Sequence, residues 1–222
     1  MSSGIGATEI GPGETLLATI RHGLTELNRD KRVGGRVDVP LIDDGRAQAE
    51  KARRNFDGTP FDVVIVSPLV RAIETAEIVT GWPRDRFVVD ESCTERSFGA
   101  MEGLHPWEVR DRYPDVEYLR IGHIGYSLNA PGGEPFEDLH ERARDFLERT
   151  LARFAGRRTL VFSHQNFMQQ LHGVLWGLGP IESLEHDILN CELNEFRIAP
   201  DGTLLGHRTV QLVPSAADHP SF

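Results

Sequence analysis

Histidine and arginine side chains follow three apolar segments of the sequence that are predicted to be strands. Arg21 and His22 come directly after the first segment, Arg71 lies just beyond the second, and His164 follows a later one. Guanidinium groups donate paired hydrogen bonds to the non-bridging oxygens of a phosphoryl group. A neutral imidazole can attack phosphorus and form a covalent intermediate. Brought together, these four side chains would form a site for phosphoryl transfer.

The elements that would position these side chains alternate between strands and helices. Buried strands are predicted over 16–21, 62–67, 86–90 and 158–163, and helices over 44–56, 69–79, 105–113, 136–154 and 166–176. Ser67 and Pro68 are predicted to form the N-cap and first turn of the second helix. A terminal hairpin or two edge strands are predicted over 194–199 and 203–210. The alternation is typical of a three-layer α/β/α fold with a mainly parallel central sheet, in which ligands bind beyond the carboxyl ends of the strands.

The length of 222 residues favours a single domain. We expect this domain to cover 15–213, with flexible segments over 1–14 and 214–222. A long connection over 96–131 is interpreted as a lid inserted after Glu95, with one short helix followed by irregular chain.

The charged residues of this lid indicate which charge the leaving group beneath it can carry. Over 99–131 it carries Arg110, Arg112 and Arg120, no Lys, and five carboxylates. Its later half is mostly apolar and small. We therefore expect the lid to suit a neutral or mixed leaving group better than one with a second phosphate or carboxylate.

Composition and charge argue against several classes of protein. Asp and Glu number 34 against 24 Lys and Arg, and the formal net charge of −10 disfavours binding to nucleic acid. Cys93 and Cys191 form no C-x-x-C pair, so we expect reduced thiols rather than a zinc or redox site. No apolar stretch suits a signal peptide or a membrane span. We expect a cytoplasmic protein with no nucleic-acid or membrane partner.

Six sequence motifs occur in a fixed order along the chain. They are R-H-G-L-T-E-L-N at 21–28, R-V-G-G-R-V-D-V-P-L at 32–41, S-P-L-V-R-A-I-E-T-A at 67–76, E-R-S-F-G-A-M-E-G at 95–103, P-G-G-E at 131–134 and S-H at 163–164. With these motifs the chain resembles the histidine phosphatase superfamily, which has the phosphoglycerate-mutase-like fold, over 16–210.

The resemblance implies a role for each matching residue. His22 is implied to be the nucleophile that becomes phosphohistidine, and Glu95 the proton donor to the leaving alkoxide and later the base that activates water. The implied phosphate cradle consists of Arg21, Arg71 and His164, with Asn28. Elementary electrostatics agrees, because a neighbouring Arg21 disfavours the protonated form of His22 and keeps it nucleophilic.

The sequence departs from the family pattern in two places. Gln165 stands where the family usually has glycine, and Gly34 stands where many members carry a polar Gln or Thr. We expect Gly34, Gly35 and Gln165 to shape contacts to the substrate without changing the phosphoryl step. No cofactor or metal is expected, because the crevice lacks a carboxylate cluster for Mg²⁺ and His140-Glu141 does not complete H-E-x-x-H.

Three functions stay open at this point. The favoured one is a metal-independent phosphatase that hydrolyses a small phosphomonoester through phosphohistidine. The alternative is phosphoryl transfer of the cofactor-dependent phosphoglycerate mutase type, and the minor alternative is a non-catalytic module that binds phosphorylated ligands. Candidate contacts to the leaving group are Arg36, Trp107, Arg110, His123, Tyr126 and Gln165. The predicted edge strand at 194–199 is a candidate surface for a homodimer.

Overall fold

The computed structural model describes residues 8–56 and 60–213. Strands occupy β1 Thr15–Arg21, β2 Val63–Val66, β3 Val88–Val89, β4 Tyr118–Ile121, β5 Ile124–Ser127, β6 Arg158–Ser163, β7 Glu192–Ile198 and β8 Leu204–Gln211. Helices occupy α1 Glu26–Arg29, α2 Asp43–Asn55, α3 Val70–Thr80, α4 Pro106–Arg112, α5 Phe136–Arg153 and α6 Gln165–Trp176. Of the two predicted flexible segments, all of 214–222 and residues 1–7 of the segment 1–14 lie outside the described residues.

Within the described residues, six strands form a sheet in the order β3-β2-β6-β1-β7-β8. β1, β2, β3 and β6 run parallel, whereas β7 is antiparallel to β1 and to β8. Because β1 and β6 are neighbours in register, Arg21 lies directly opposite Ser163. The carboxyl ends that carry His22 and His164 therefore meet at one edge of the sheet.

Alternating residues of the central strands feed two separate cores. Leu17 and Val161 pack on the face covered by α5 and α6, and Ala18 and Leu160 pack on the face covered by α2 and α3. A parallel strand with both faces covered is apolar throughout, and β2 is buried at every position. The predicted three-layer α/β/α fold with a mainly parallel sheet is confirmed.

Several predicted details were wrong. α3 begins at Val70 without a side-chain cap, since Ser67 bonds elsewhere, and the predicted strand at 86–90 is reduced to Val88–Val89. The later half of the lid is not irregular but forms the β4–β5 hairpin. β7 is not an edge strand, because β1 and β8 flank it on both sides, so it offers no free edge to a second subunit.

Two smaller observations concern the cysteines and the membrane. Cys93 and Cys191 are buried and unpaired, as expected, and burial raises the pKa of both thiols, that of Cys191 to about 12. In the described ranges, no helix combines the length and the apolar character needed to cross a bilayer.

Candidate active site

A cavity of about 620 Å³ opens beyond the carboxyl ends of β1, β2 and β6, beneath the lid. Eight of the nine predicted site residues line it: Arg21, His22, Asn28, Gly34, Gly35, Arg71, Glu95 and Gln165. The ninth, His164, lies behind the wall, with its ring centroid 5.1 Å from that of His22.

His22 is buried and held in one tautomer. Its Nδ1 lies 2.7 Å from the carbonyl oxygen of Gly23 and must donate to it, because a carbonyl can only accept. Nε2 then carries the lone pair, and it makes no hydrogen bond to any described residue. Burial, followed by the charges of Arg71 and Arg21, lowers the pKa of His22 well below its usual value. The ring is therefore neutral, with burial as the largest cause, and Nε2 is the nitrogen left with a free lone pair.

Arg71 is tied to the chain that surrounds the cavity. Its Nη1 and Nη2 donate to the carbonyls of Val37 and Gly35, both at 2.7 Å, and its Nε lies 3.2 Å from Nδ1 of His164. Burial lowers the pKa of Arg71 to about 10, so the guanidinium is still charged near pH 7. Each terminal nitrogen retains a second N–H for a phosphate oxygen.

The contacts of His164 differ from those that the resemblance implied. Its Nδ1 accepts from Arg71, and its Nε2 lies 2.7 Å from Oγ of Ser67. Both ring nitrogens are thus engaged, and burial lowers the pKa of His164 well below its usual value. In this arrangement His164 offers no free N–H to a phosphate. It accepts a hydrogen bond from Arg71 and packs beside the ring of His22.

Arg21 presents an unused donor beside His22. Its Nη1 donates to the carbonyl of Ile188 at 2.6 Å, whereas its buried Nε has no hydrogen-bond partner among the described residues. Burial lowers the pKa of Arg21 from its usual value. Arg21 lines the cavity, so its guanidinium places positive charge beside His22.

Glu95 lies at the amino end of α6. Its Oε1 accepts from the backbone N–H groups of Arg96 at 2.9 Å and Phe167 at 3.2 Å, and Oε2 makes a longer contact of 3.4 Å with that of Asn166. The amino end of a helix favours a carboxylate, so the helix fixes this side chain in the cavity wall. Oε2, with one long contact, is the oxygen with room for a proton.

Two further side chains hold the loop that carries Glu95. Arg142 of α5 donates to the carbonyls of Ser92 and Thr94 and makes a paired contact with Glu134 at 2.8 Å. Although burial acts to raise it, the hydrogen bond and charge of Arg142 keep the pKa of Glu134 below its usual value. Arg36 donates to Glu95 O and to Glu134, so it supports this loop rather than contacting the leaving group as predicted.

The remaining predicted residues divide between wall and support. The Asn28 Oδ1 accepts from the backbone N–H and hydroxyl of Thr25, which caps α1, while Asn28 also borders the cavity. Gln165 borders the cavity and donates to Asp187 at 3.1 Å. Arg110, His123 and Tyr126, the other candidate contacts to the leaving group, line the cavity wall. The prediction that Trp107 contacts the leaving group was wrong, because this side chain is exposed and stacks on His105.

Three supporting residues escaped the sequence analysis. Ser67 was interpreted as a helix cap, although it bonds His164. Asn190 donates to the backbone carbonyl of His22 at 2.6 Å, and the N–H of Cys191 donates to that of Arg21 at 2.9 Å. Cys191 is buried with a positive φ of 57°, which is uncommon for a non-glycine residue. No motif or periodic pattern in the residues just before β7 signals this role.

No group of three or more His, Cys, Asp or Glu side chains in the described part of the chain is arranged to hold a metal ion. Next to His22, the cavity wall carries the guanidiniums of Arg21 and Arg71.

Comparison with known proteins assigns the fold and the site to a family. The model of the histidine phosphatase superfamily (branch 1) matches residues 17–210, and the chain belongs to this superfamily. Its members are phosphatases or mutases, so the chain is placed among enzymes of phosphoryl transfer.

Similar sequences are named as mutases, and a similar fold occurs in a phosphatase. The chain is 28% identical over 204 residues to a 2,3-bisphosphoglycerate-dependent phosphoglycerate mutase of Azorhizobium caulinodans, covering 89% of this chain and 98% of that protein. It is 34% identical to the mutase of the same name from Methylobacterium radiotolerans, covering 74% and 81%. The crystal structure of the α-ribazole phosphatase from Shigella flexneri has a TM-score of 0.72 and 24% identity, covering 90% and 96%, a likeness of fold alone.

Proposed function

We propose that this protein is a metal-independent phosphatase that hydrolyses a small-molecule phosphomonoester through a phosphohistidine on His22. The observation that carries the proposal is the free Nε2 of a buried, neutral His22, which borders the same cavity as Arg21, Arg71 and Glu95. These groups supply a nucleophile, charge for the phosphoryl oxygens and a proton donor in one site.

In the first step, Nε2 of His22 attacks phosphorus while the bond from phosphorus to the ester oxygen breaks. Arg21 and Arg71 neutralise the phosphoryl oxygens, as positioning and charge do most of the work in such reactions. The leaving alkoxide takes a proton from Oε2 of Glu95, without which it would be a poor leaving group. The Nδ1–H bond to Gly23 stabilises the phosphorylated ring.

In the second step, a water molecule attacks the phosphohistidine. The carboxylate of Glu95 takes the proton of this water, the bond between phosphorus and Nε2 breaks, and phosphate leaves with His22 restored to its neutral form. Several residues at the cavity mouth are exposed, among them Pro106, Tyr118 and His123, so water can reach the site. This access favours hydrolysis over transfer to a second alcohol.

Phosphoglycerate-mutase-type transfer is the second candidate, and the names of the relatives from Azorhizobium and Methylobacterium favour it. The two functions differ in the acceptor of the phosphoryl group. Incubation with 3-phosphoglycerate and 2,3-bisphosphoglycerate separates them, since a mutase forms 2-phosphoglycerate and a phosphatase releases inorganic phosphate.

Phosphate release from a panel of metabolite phosphomonoesters, measured in EDTA, tests the proposal. We expect turnover to survive the chelator and His22→Ala to reduce it by at least a thousandfold, because no other side chain replaces the nucleophile. An acid-labile phosphoryl adduct on His22 should be trapped by rapid quenching. His186→Ala is the matched control, since this ring packs at a tilt against Trp176 and is not among the described residues that line the cavity.

Loss of turnover in EDTA that Mg²⁺ or Zn²⁺ restores would overturn metal independence. Full turnover without any adduct on His22 would overturn the proposed intermediate.

A further inference from the structure

The charged residues of the lid are sorted between two sides in the folded protein. Arg110 and Arg120 border the cavity. None of the lid carboxylates Glu102, Glu108, Asp111, Asp115 and Glu117 is among the described residues that line it. The wall therefore has a strong excess of positive charge, although the chain as a whole is acidic.

Arg110 comes from α4, whereas the β4–β5 hairpin places Arg120 on the cavity side through the alternation of side chains along a strand. Leu119 and Ile121 pack towards the core that α5 and α6 cover, so Tyr118 and Arg120 turn to the opposite face and border the cavity. Gly125 pairs with Arg120 across the hairpin and carries no side chain. The space beside the guanidinium is thus left open.

Arg110 and Arg120 make no hydrogen bond or ion pair with the described residues. Burial raises the pKa of Tyr118 and Arg110 partly opposes it, so the Arg110 guanidinium lies close to that phenol. By contrast, Arg32 on the same wall donates to the carbonyl of Gly103 at 2.8 Å and lies 3.6 Å from Glu108. Arg110 and Arg120 are therefore the cations of the outer cavity that are free to bind a ligand.

The rest of the outer cavity is large and mostly apolar. A volume of about 620 Å³ lies within the roughly 300–1,000 Å³ of sites for drug-sized ligands. Val33, Phe98 and Met101 line it together with Tyr118. A three-carbon phosphoester would leave most of this surface without a contact.

We infer that the substrate of this site has a bulky, ring-bearing leaving group with a second anionic group, which Arg110 and Arg120 bind at the far end of the cavity. The ring contacts the apolar wall while the ester phosphate occupies the cradle at His22. The inference rests on the proposed function. It replaces the expectation of a neutral or mixed leaving group, which was based on the composition of the lid, because composition does not show which charges face the cavity.

Matched phosphate esters test this inference. We would compare 4-carboxybenzyl phosphate with its neutral analogue 4-carbamoylbenzyl phosphate and with the short anionic ester 2-carboxyethyl phosphate. An ester with a phosphonomethyl group in place of the carboxylate distinguishes a second phosphate-type anion from a carboxylate. We expect kcat/KM for one of the long anionic esters to exceed that of the neutral and the short ester by at least tenfold.

Variants of the two arginines test whether the preference for the long anionic ester depends on these side chains. Arg110→Gln and Arg120→Gln should each lower kcat/KM for the long anionic ester by about tenfold, the usual effect of losing one hydrogen bond to a charged group. The neutral ester should be unaffected. Arg112→Gln is the matched control on α4, because Arg112 pairs with Glu108 and is absent from the described cavity wall. Equal kcat/KM for the charged and neutral esters, or an equal loss in the Arg112 variant, would overturn the inference.

Binding of the corresponding phosphonates, in which carbon replaces the ester oxygen, separates this inference from the proposed function. Calorimetry should give a tenfold higher affinity for the carboxylated analogue, or for its phosphonomethyl counterpart, than for the neutral one, lost in the Arg110 and Arg120 variants. If binding follows this pattern while no ester is hydrolysed, the inference stands and the proposed function fails. If all esters are hydrolysed without preference, the proposed function stands and the inference fails.

Discussion

Gly34 and Gly35 are neighbours in the sequence but differ in what a side chain would meet. Gly35 has a positive φ of 50°, and a Cβ there would lie 2.4 Å from Oε1 of Glu102. Its carbonyl also accepts the bond from Arg71. A Cβ on Gly34 would have no heavy atom within 4 Å. The first glycine leaves space in the cavity, and the second is required by the backbone.

This difference gives a prediction for alanine at each position. Gly35→Ala should lower the free energy of unfolding by about 1–3 kcal/mol, because a strained φ and a close contact are both imposed. It should also reduce turnover, since the carbonyl that holds Arg71 would move. Gly34→Ala should stay within about 0.5 kcal/mol of the wild type. Urea unfolding of both variants checks this, and equal losses would contradict it.

Two helices determine the position of Glu95. α6 supplies the backbone N–H groups of Asn166 and Phe167 to its carboxylate, and α5 supplies Arg142 to the carbonyls of the loop before it. Glu95, the proposed proton donor, lies on a loop, yet α6 holds its carboxylate and α5 holds the loop before it. Such support is what keeps a catalytic group in a productive geometry.

We predict that Arg142→Ala strongly lowers both the stability of the fold and the turnover of the enzyme. The side chains of Arg142 and Glu134 are mostly buried, so truncation removes the paired contact of this carboxylate and the donor to the carbonyls of the loop before Glu95. We expect a loss of about 2–4 kcal/mol of unfolding free energy and a fall in kcat through displacement of Glu95.

Arg149→Ala is the matched control for this prediction on the same helix. Arg149 also reaches Ser92, but its contact is exposed, so a change within about 0.5 kcal/mol is expected. Urea unfolding and steady-state kinetics measure both variants, and similar behaviour of the two would argue against the role given to Arg142.

Three buried histidines couple the stability of the whole molecule to pH. Burial is the largest cause that lowers the pKa of His22, His164 and His172 well below the usual value in the folded chain. Below about pH 6.5 the unfolded chain binds protons that the folded chain does not. Stability should therefore be fully present above this pH and fall as the pH is lowered through it.

The expected loss of stability on acidification follows from the linkage between proton binding and unfolding. While the folded form binds no proton, each histidine contributes a loss of at most about 1.4 kcal/mol between pH 7.5 and pH 5.5. Urea unfolding at these two pH values measures the sum. His172→Gln should reduce the difference, because this ring bonds Thr19 away from the cavity wall and its titration is removed. A stability that rises on acidification to pH 5.5 would refute the assignment of neutral histidines.

The arrangement of the catalytic groups was largely predictable from the sequence. Apolar runs predicted β1, β2 and β6, and parallel strands bring their carboxyl ends to one edge, so Arg21, His22 and Arg71 met as expected. The local sequence pattern is enough to predict this arrangement, because runs of consecutive apolar residues indicate buried strands and parallel strands end at the same edge of the sheet. The motifs at 95–103 and 131–134 likewise marked the loops around Glu95 and Glu134, although not their partners.

Long-range packing decided the rest. The sequence does not reveal that Ser67 bonds His164, that Arg36 supports a loop, or that β7 lies inside the sheet, because each depends on elements distant along the chain. The lid is the clearest case. Its composition shows mixed charge, but in the folded chain α4 and the hairpin each bring one arginine to the wall, and the lid carboxylates are not among the described residues that line it. The hairpin turns Arg120 to the cavity because the apolar side chains of β4 cover the core. Charge composition is a property of the sequence, whereas the side on which each charge lies is a property of the folded chain.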